Sequence, residues 1–146
     1  MNARTLWLVL ALVSTLGCER IAVIKKCRAL AQRVNPELEA IRSAAPSTTA
    51  SSDAKRDAAS YRAIAKRYAA LAKELQTARI DSAEIDRSLQ DYAGTLRATG
   101  TRLDEFATSL DNASPGADAQ ATRSLEQELR RQKSAAKRFT QECQGH

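Results

Sequence analysis

Residues 85–110 read IDRSLQDYAGTLRATGTRLDEFATSL, and their spacing decides the fold. Ile85, Leu89, Tyr92, Leu96, Thr99, Leu103, Phe106 and Leu110 follow one another at alternating steps of four and three, with Thr99 the one polar member. That period lays them all along one side of an α-helix and calls for partner helices against that side. Asp81, with Glu84 three residues later, predicts the start of this helix as an Asp version of the capping box, which satisfies free backbone N–H groups. Gly94 and Gly100 fall off the seam, where each costs a helix about 1 kcal/mol against Ala.

Similar stripes lie on both sides of it. Tyr61, Ile64, Ala65, Tyr68, Leu71, Ala72, Leu75 and Ala78 repeat at threes and fours, with Asp53 as their cap. Ala121, Leu125, Leu129, Gln132, Ala136, Phe139 and Cys143 keep a similar spacing, as do Val23, Cys27, Leu30, Val34, Leu38 and Ile41. The last of these stripes is interrupted by Asn35-Pro36, which reads as a kink or as a cap followed by a new first turn. Helices are predicted at roughly 20–44, 54–79, 82–112 and 116–143. A small-residue linker (44–52) separates the first two, and Ser114-Pro115-Gly116 is a turn signal before the fourth. The tight connection Arg79-Ile80-Asp81-Ser82 makes helices two and three antiparallel neighbours. Strand-like alternation is absent from the sequence. The fold class is all-α: an antiparallel up-down bundle of about four helices with coiled-coil-like seams. A three-helix core with a looser first helix is the alternative.

Composition sets a limit on the core. The aromatic share is 4%, and the single Trp and single Met are Trp7 and Met1. Sparse large apolar residues alone would point toward disorder, but their regular placement overrules that, and a thin, Ala-padded core is predicted.

Arg4, the apolar run Leu6-Trp7-Leu8-Val9-Leu10-Ala11-Leu12-Val13, and then Ser14-Thr15-Leu16-Gly17-Cys18 keep the order of a secretory signal. The uncharged stretch from Thr5 to Cys18 falls short of the roughly 20 residues a bilayer span needs. With a small residue before the cysteine, this segment resembles a bacterial lipoprotein signal peptide and its lipobox. The resemblance covers residues 1–19. It implies that residues 1–17 are removed and that the Cys18 thiol carries a diacylglyceryl group. Two or three acyl chains would then anchor residues 18–146, a single helical domain, stably to a membrane. Glu19 in place of Asp favours the outer over the inner membrane, with the domain facing the periplasm or the cell exterior.

The lipobox takes one of three cysteines and leaves Cys27 and Cys143. In an oxidising compartment an even pair is expected to bond. Both fall on apolar seams, and an up-down-up-down course brings the start of helix one and the end of helix four to the same end of the bundle. A Cys27–Cys143 disulfide is the expected outcome. A metal site is not expected, because the two sulfurs have no supporting ligands and the one histidine is His146.

Catalytic chemistry finds little to work with. General acid–base and nucleophilic sites draw mostly on His, or on Cys or Ser activated by a neighbour. The chain has no glycine-rich phosphate loop, haem-attachment motif, metal-binding Glu-x-x-His or nucleophile elbow. No cofactor is implied. Asp86, Asp104, Glu105, Glu126 and Glu128 are all expected on solvated polar faces.

The net charge of +6 is unevenly spread. Arg20, Lys25, Lys26, Arg28, Lys73, Lys133, Lys137 and Arg138 gather toward the end of the bundle nearest Cys18, a basic collar suited to anionic lipid head groups. The same residues could instead complement helix dipoles and pair with the acidic start of helix three. Nucleic acid is not an expected partner for an exported, tethered chain. Two function classes fit these residues. The first is a non-enzymatic envelope lipoprotein acting as a structural, adaptor or interaction module, self-associating or docking a partner through seam surface around Tyr61 and Tyr68. The second is a helical bundle that binds a small molecule or lipid.

Overall fold

Regular seams become four helices: α1 (Ala3–Ser43), α2 (Ala54–Thr77), α3 (Ala83–Asn112) and α4 (Ala117–Gln144). The computed structural model describes the backbone of residues 3–45, 54–112 and 117–145, and the side chains of 20–45, 55–112 and 119–145. The helices run up, down, up and down in an all-α bundle, with no strand among the described residues. Asp53 and the 113–116 turn lie outside the described residues, as do the side chains of the lipobox.

The α3 seam is the axis of the core. Leu89, Leu96 and Thr99 are fully buried, and Ile85, Tyr92 and Leu103 nearly so. Against them α2 sets Ile64, Tyr68, Leu71 and Leu75, with Ala65, Ala72 and Ala93 letting the backbones approach. Close packing joins α2 to α3 and α3 to α4, while α1 meets the other helices sparsely. The result is a four-helix bundle in which α1 gives Cys27, Leu30, Val34 and Ile41 to the core but packs more loosely than the other three helices. Ion pairs align α1 along α2 and its connection: Lys26 with Asp81 at 2.5 Å, Arg33 with Glu74, and Glu37 with Arg67 at 2.8 Å.

Local differences from the sequence reading have physical causes. The third helix starts at Ala83, with the Ser82 carbonyl accepting the first helical hydrogen bond from Asp86 N at 2.8 Å. The Asp81 carboxylate is engaged by Lys26 instead of capping, and Asp86 Oδ1 accepts from Ile80 N at 3.5 Å. α1 continues unbroken through Pro36. The ring removes the donor to the Gln32 carbonyl, and both residues are on the exposed side, where water can replace it. Tyr68 is buried, so it offers no free surface, and Tyr61 is half-buried with its ring edge-on to Phe106 at 5.0 Å. Glu128 is buried, not solvated. It lies on the side of α4 that turns inward with Ala135, and Arg131 compensates its charge at 3.5 Å.

Candidate functional site

Cys27 and Cys143 are joined, with their Cα atoms 5.8 Å apart, and this bond clasps α1 to α4 at one end of the bundle. Beside it, Arg20 donates to the Gly145 carbonyl at 3.2 Å. Away from the clasp the two helices do not close on each other. A cleft of about 620 Å³ opens between them.

The cleft is made by the seams themselves. Leu30, Val34 and Leu38 of α1 form one wall, and Leu129, Ala136 and Phe139 of α4 the other. Tyr68, Leu75 and Tyr92 form the floor, where Tyr92 stacks on Phe139 with ring centroids 6.3 Å apart. Leu129 is 43% exposed, at the edge of the α4 stripe that the sparse α1–α4 contact leaves uncovered.

A polar relay crosses the floor. The buried Thr99 hydroxyl lies 2.9 Å from the Thr95 carbonyl and donates to Gln132 Oε1 at 3.0 Å. Gln132 also lies near enough to the Tyr92 phenol to act on its proton equilibrium. Burial, and then the neighbouring Tyr68, push the Tyr92 phenol above its ordinary pKa, while Gln132 and the Arg42 cation pull the other way. The phenol is a neutral, buried polar group at ordinary pH. Thr99 and Gln132 stand out in the sequence as polar members of apolar stripes. The involvement of Tyr92, Tyr68 and Arg42 needs the tertiary arrangement.

Two cations, Arg42 and Lys133, line the cleft, and among the described residues no carboxylate does. Arg42 pairs with Glu39 at 3.5 Å on the solvent side. Lys133 therefore belongs to the cleft, higher on α4 than the basic cluster near the clasp. Within that cluster Lys26 is paired with Asp81, and Arg138 with Asp91 at 3.4 Å. Arg79 donates to the Gln76 and Ala78 carbonyls at 2.8 and 2.9 Å, capping the end of α2. Lys25, Arg28, Lys73 and Lys137 are exposed and pair with no carboxylate among the described residues. Next to Lys25 and Arg28, Ile21 and Ile24 are 55% and 41% exposed.

No family model, curated protein or solved structure matches this chain. Its chemistry has to be read from its own residues. Among the described residues no group of His, Cys, Asp and Glu is arranged to hold a metal ion, and no helix is long and apolar enough to cross a membrane.

Proposed function

We propose that the chain is an envelope lipoprotein: a non-enzymatic helical module tethered to a membrane through Cys18, with the outer membrane favoured. The observation that carries this reading is the run from Arg4 through the apolar core to Gly17-Cys18. The turns of α1 immediately after Cys18 support it. Ile21 and Ile24 expose apolar surface beside Lys25 and Arg28, which pair with no carboxylate among the described residues, the mixture that suits the boundary between head groups and acyl chains. The disulfide, nearby on the same helix, holds the bundle to that anchor-bearing segment. Its partners are the membrane and, through exposed surface, a second envelope protein or another copy of the chain. The test is Cys18→Ser in the full chain, exported from a Gram-negative host fed labelled palmitate. Loss of the label and of membrane fractionation is expected. Label remaining on the substituted protein overturns the reading.

The cleft favours a second reading, in which the bundle carries a small apolar or lipid molecule. A concave, mostly apolar cleft with a few placed polar groups is the usual form of a ligand site, and about 620 Å³ lies within the range of roughly 300–1,000 Å³ typical of such sites. Extraction and mass spectrometry of the purified protein test it, with a stoichiometric ligand as the supporting result.

A further inference from the structure

The cleft has a direction. Its narrow end is set by the Cys27–Cys143 bond, and the lining residues nearest that end are Leu30, Phe139 and Thr140, whose hydroxyl is spent on the Ala136 carbonyl at 2.8 Å. Its two cations are displaced toward the open end. Counting helical rise, Lys133 lies about 15 Å and Arg42 about 22 Å along its helix from the disulfide. The lining between is apolar but for the two phenols, Asn35 and Gln132, whose side-chain oxygen accepts from Thr99. The shape is therefore a long apolar slot, closed at one end by a covalent clasp and bordered by positive charge toward the other.

We infer that this slot binds a single-chain amphiphile with an anionic head group, its hydrocarbon directed toward the Cys27–Cys143 clasp and its head group held by Lys133 and Arg42. This rests on the second reading above and specifies its ligand. One chain fits better than two because the slot is walled on both sides by helices that converge at the disulfide. An anion fits better than a cation or a neutral head because the described lining contributes two positive charges and no negative one. Lys133 pairs with no carboxylate among the described residues, and Arg42 reaches Glu39 only in solvent, so both can turn to a ligand. A free fatty acid and a lysophospholipid share this chemistry.

The full chain, purified without detergent, is titrated with palmitate, lysophosphatidylglycerol and hexadecanol. Saturation at one palmitate or lysophosphatidylglycerol per chain is expected, with the tighter of the two naming the source. Hexadecanol should bind about tenfold more weakly, the scale of two exposed charge contacts. Arg42→Gln with Lys133→Gln should erase that margin, while the charge-matched pair Lys66→Gln with Arg123→Gln, outside the cleft, should keep it. Ala136→Trp, which fills the slot, should abolish binding of every probe at unchanged helix content. Equal affinity for palmitate and hexadecanol in the unsubstituted chain overturns the anionic selectivity and leaves the second reading standing. Saturation by no probe overturns both. Undiminished binding by the Ala136→Trp chain, or by the Arg42→Gln, Lys133→Gln chain, overturns the assignment of these residues. If Ala136→Trp fails to fold, the Gln pair, on the exposed surface, still decides the question.

Discussion

Gly100 of α3 lies against Ala65 of α2 so closely that a Cβ at position 100 would meet the Ala65 carbonyl oxygen at 3.0 Å and the Tyr68 Cβ at 3.3 Å. Both are anchored, one in helix backbone and one in the core, so neither gives way cheaply. At Gly94 a Cβ would meet nothing within 4 Å. Helix propensity favours Ala at both sites by about 1 kcal/mol. We expect Gly94→Ala to raise the melting temperature by about 3 °C and Gly100→Ala to lower it. A thermal melt by circular dichroism checks the pair, and stabilisation by both would mean that α2 and α3 do not touch at Gly100.

The disulfide spans a sequence separation of 116 residues, and chain entropy assigns a closed loop of that size about 4–5 kcal/mol in the usual model. Because α1 adds only Leu30, Val34 and Ile41 to the core beside the disulfide, meets the other helices sparsely, and forms exposed ion pairs worth about 0–1 kcal/mol each, reduction should act first on α1. Hydrogen exchange should accelerate across residues 20–43 while the buried turns of α3 around Leu89 and Leu96 stay protected. The effect should grow at about 1 M salt, where the screening length falls to about 3 Å. Uniform acceleration through all four helices would show that the clasp stabilises the whole bundle at once.

Tyr92 makes stability depend on alkaline pH. Its phenol has a pKa raised above 10.0 in the folded chain, chiefly by burial, so the unfolded chain loses this proton first. The stabilisation from the neutral phenol is complete below about pH 10 and disappears as pH rises through the higher folded value. Tyr92→Phe should therefore show a shallower fall in melting temperature above about pH 10 than the unsubstituted chain, with the remaining slope including Tyr61, whose pKa burial and Asp57 also raise. Parallel slopes would remove Tyr92 from the account.

The α3 seam is legible in the sequence because α3 has a neighbour on each side, α2 and α4, so that Ile85 to Leu103 are all buried. The α4 stripe is legible as helix but not as burial. A three-four spacing marks the apolar side of a helix without saying whether anything covers it, and α4 has full cover only from α3. Glu128 and Ala135 therefore turn in while Leu129 is left at the cleft edge. The cleft itself has no local signature. It lies where α1 and α4 meet sparsely, while Arg33, Glu37 and Lys26 pair α1 with α2 and the α2–α3 connection, and pairings between helices cannot be read from the spacing within one. Ile80, buried in the tight connection, is hidden for the same reason.

The basic cluster near the clasp divides into cations already engaged and cations left free, and that division is testable on vesicles. Lys26 and Arg138 have carboxylate partners, and Arg20 donates to Gly145. Lys25, Arg28, Lys73 and Lys137 do not pair with a carboxylate among the described residues and face solvent. An acyl-free chain beginning at Glu19 should bind vesicles rich in anionic lipid weakly, and binding should fade above roughly 0.15 M salt, where screening acts over about 8 Å. Each free cation near the surface contributes about 1 kcal/mol, so replacing those four with Gln should remove most of the binding at constant helix content. Replacing Arg42, Arg62, Arg102 and Arg123, toward the other end, removes the same charge and should do little. Equal loss from both sets reduces the effect to net charge. Absence of binding in the unsubstituted chain returns the cluster to the work Arg79 performs at the end of α2, complementing helix carbonyls.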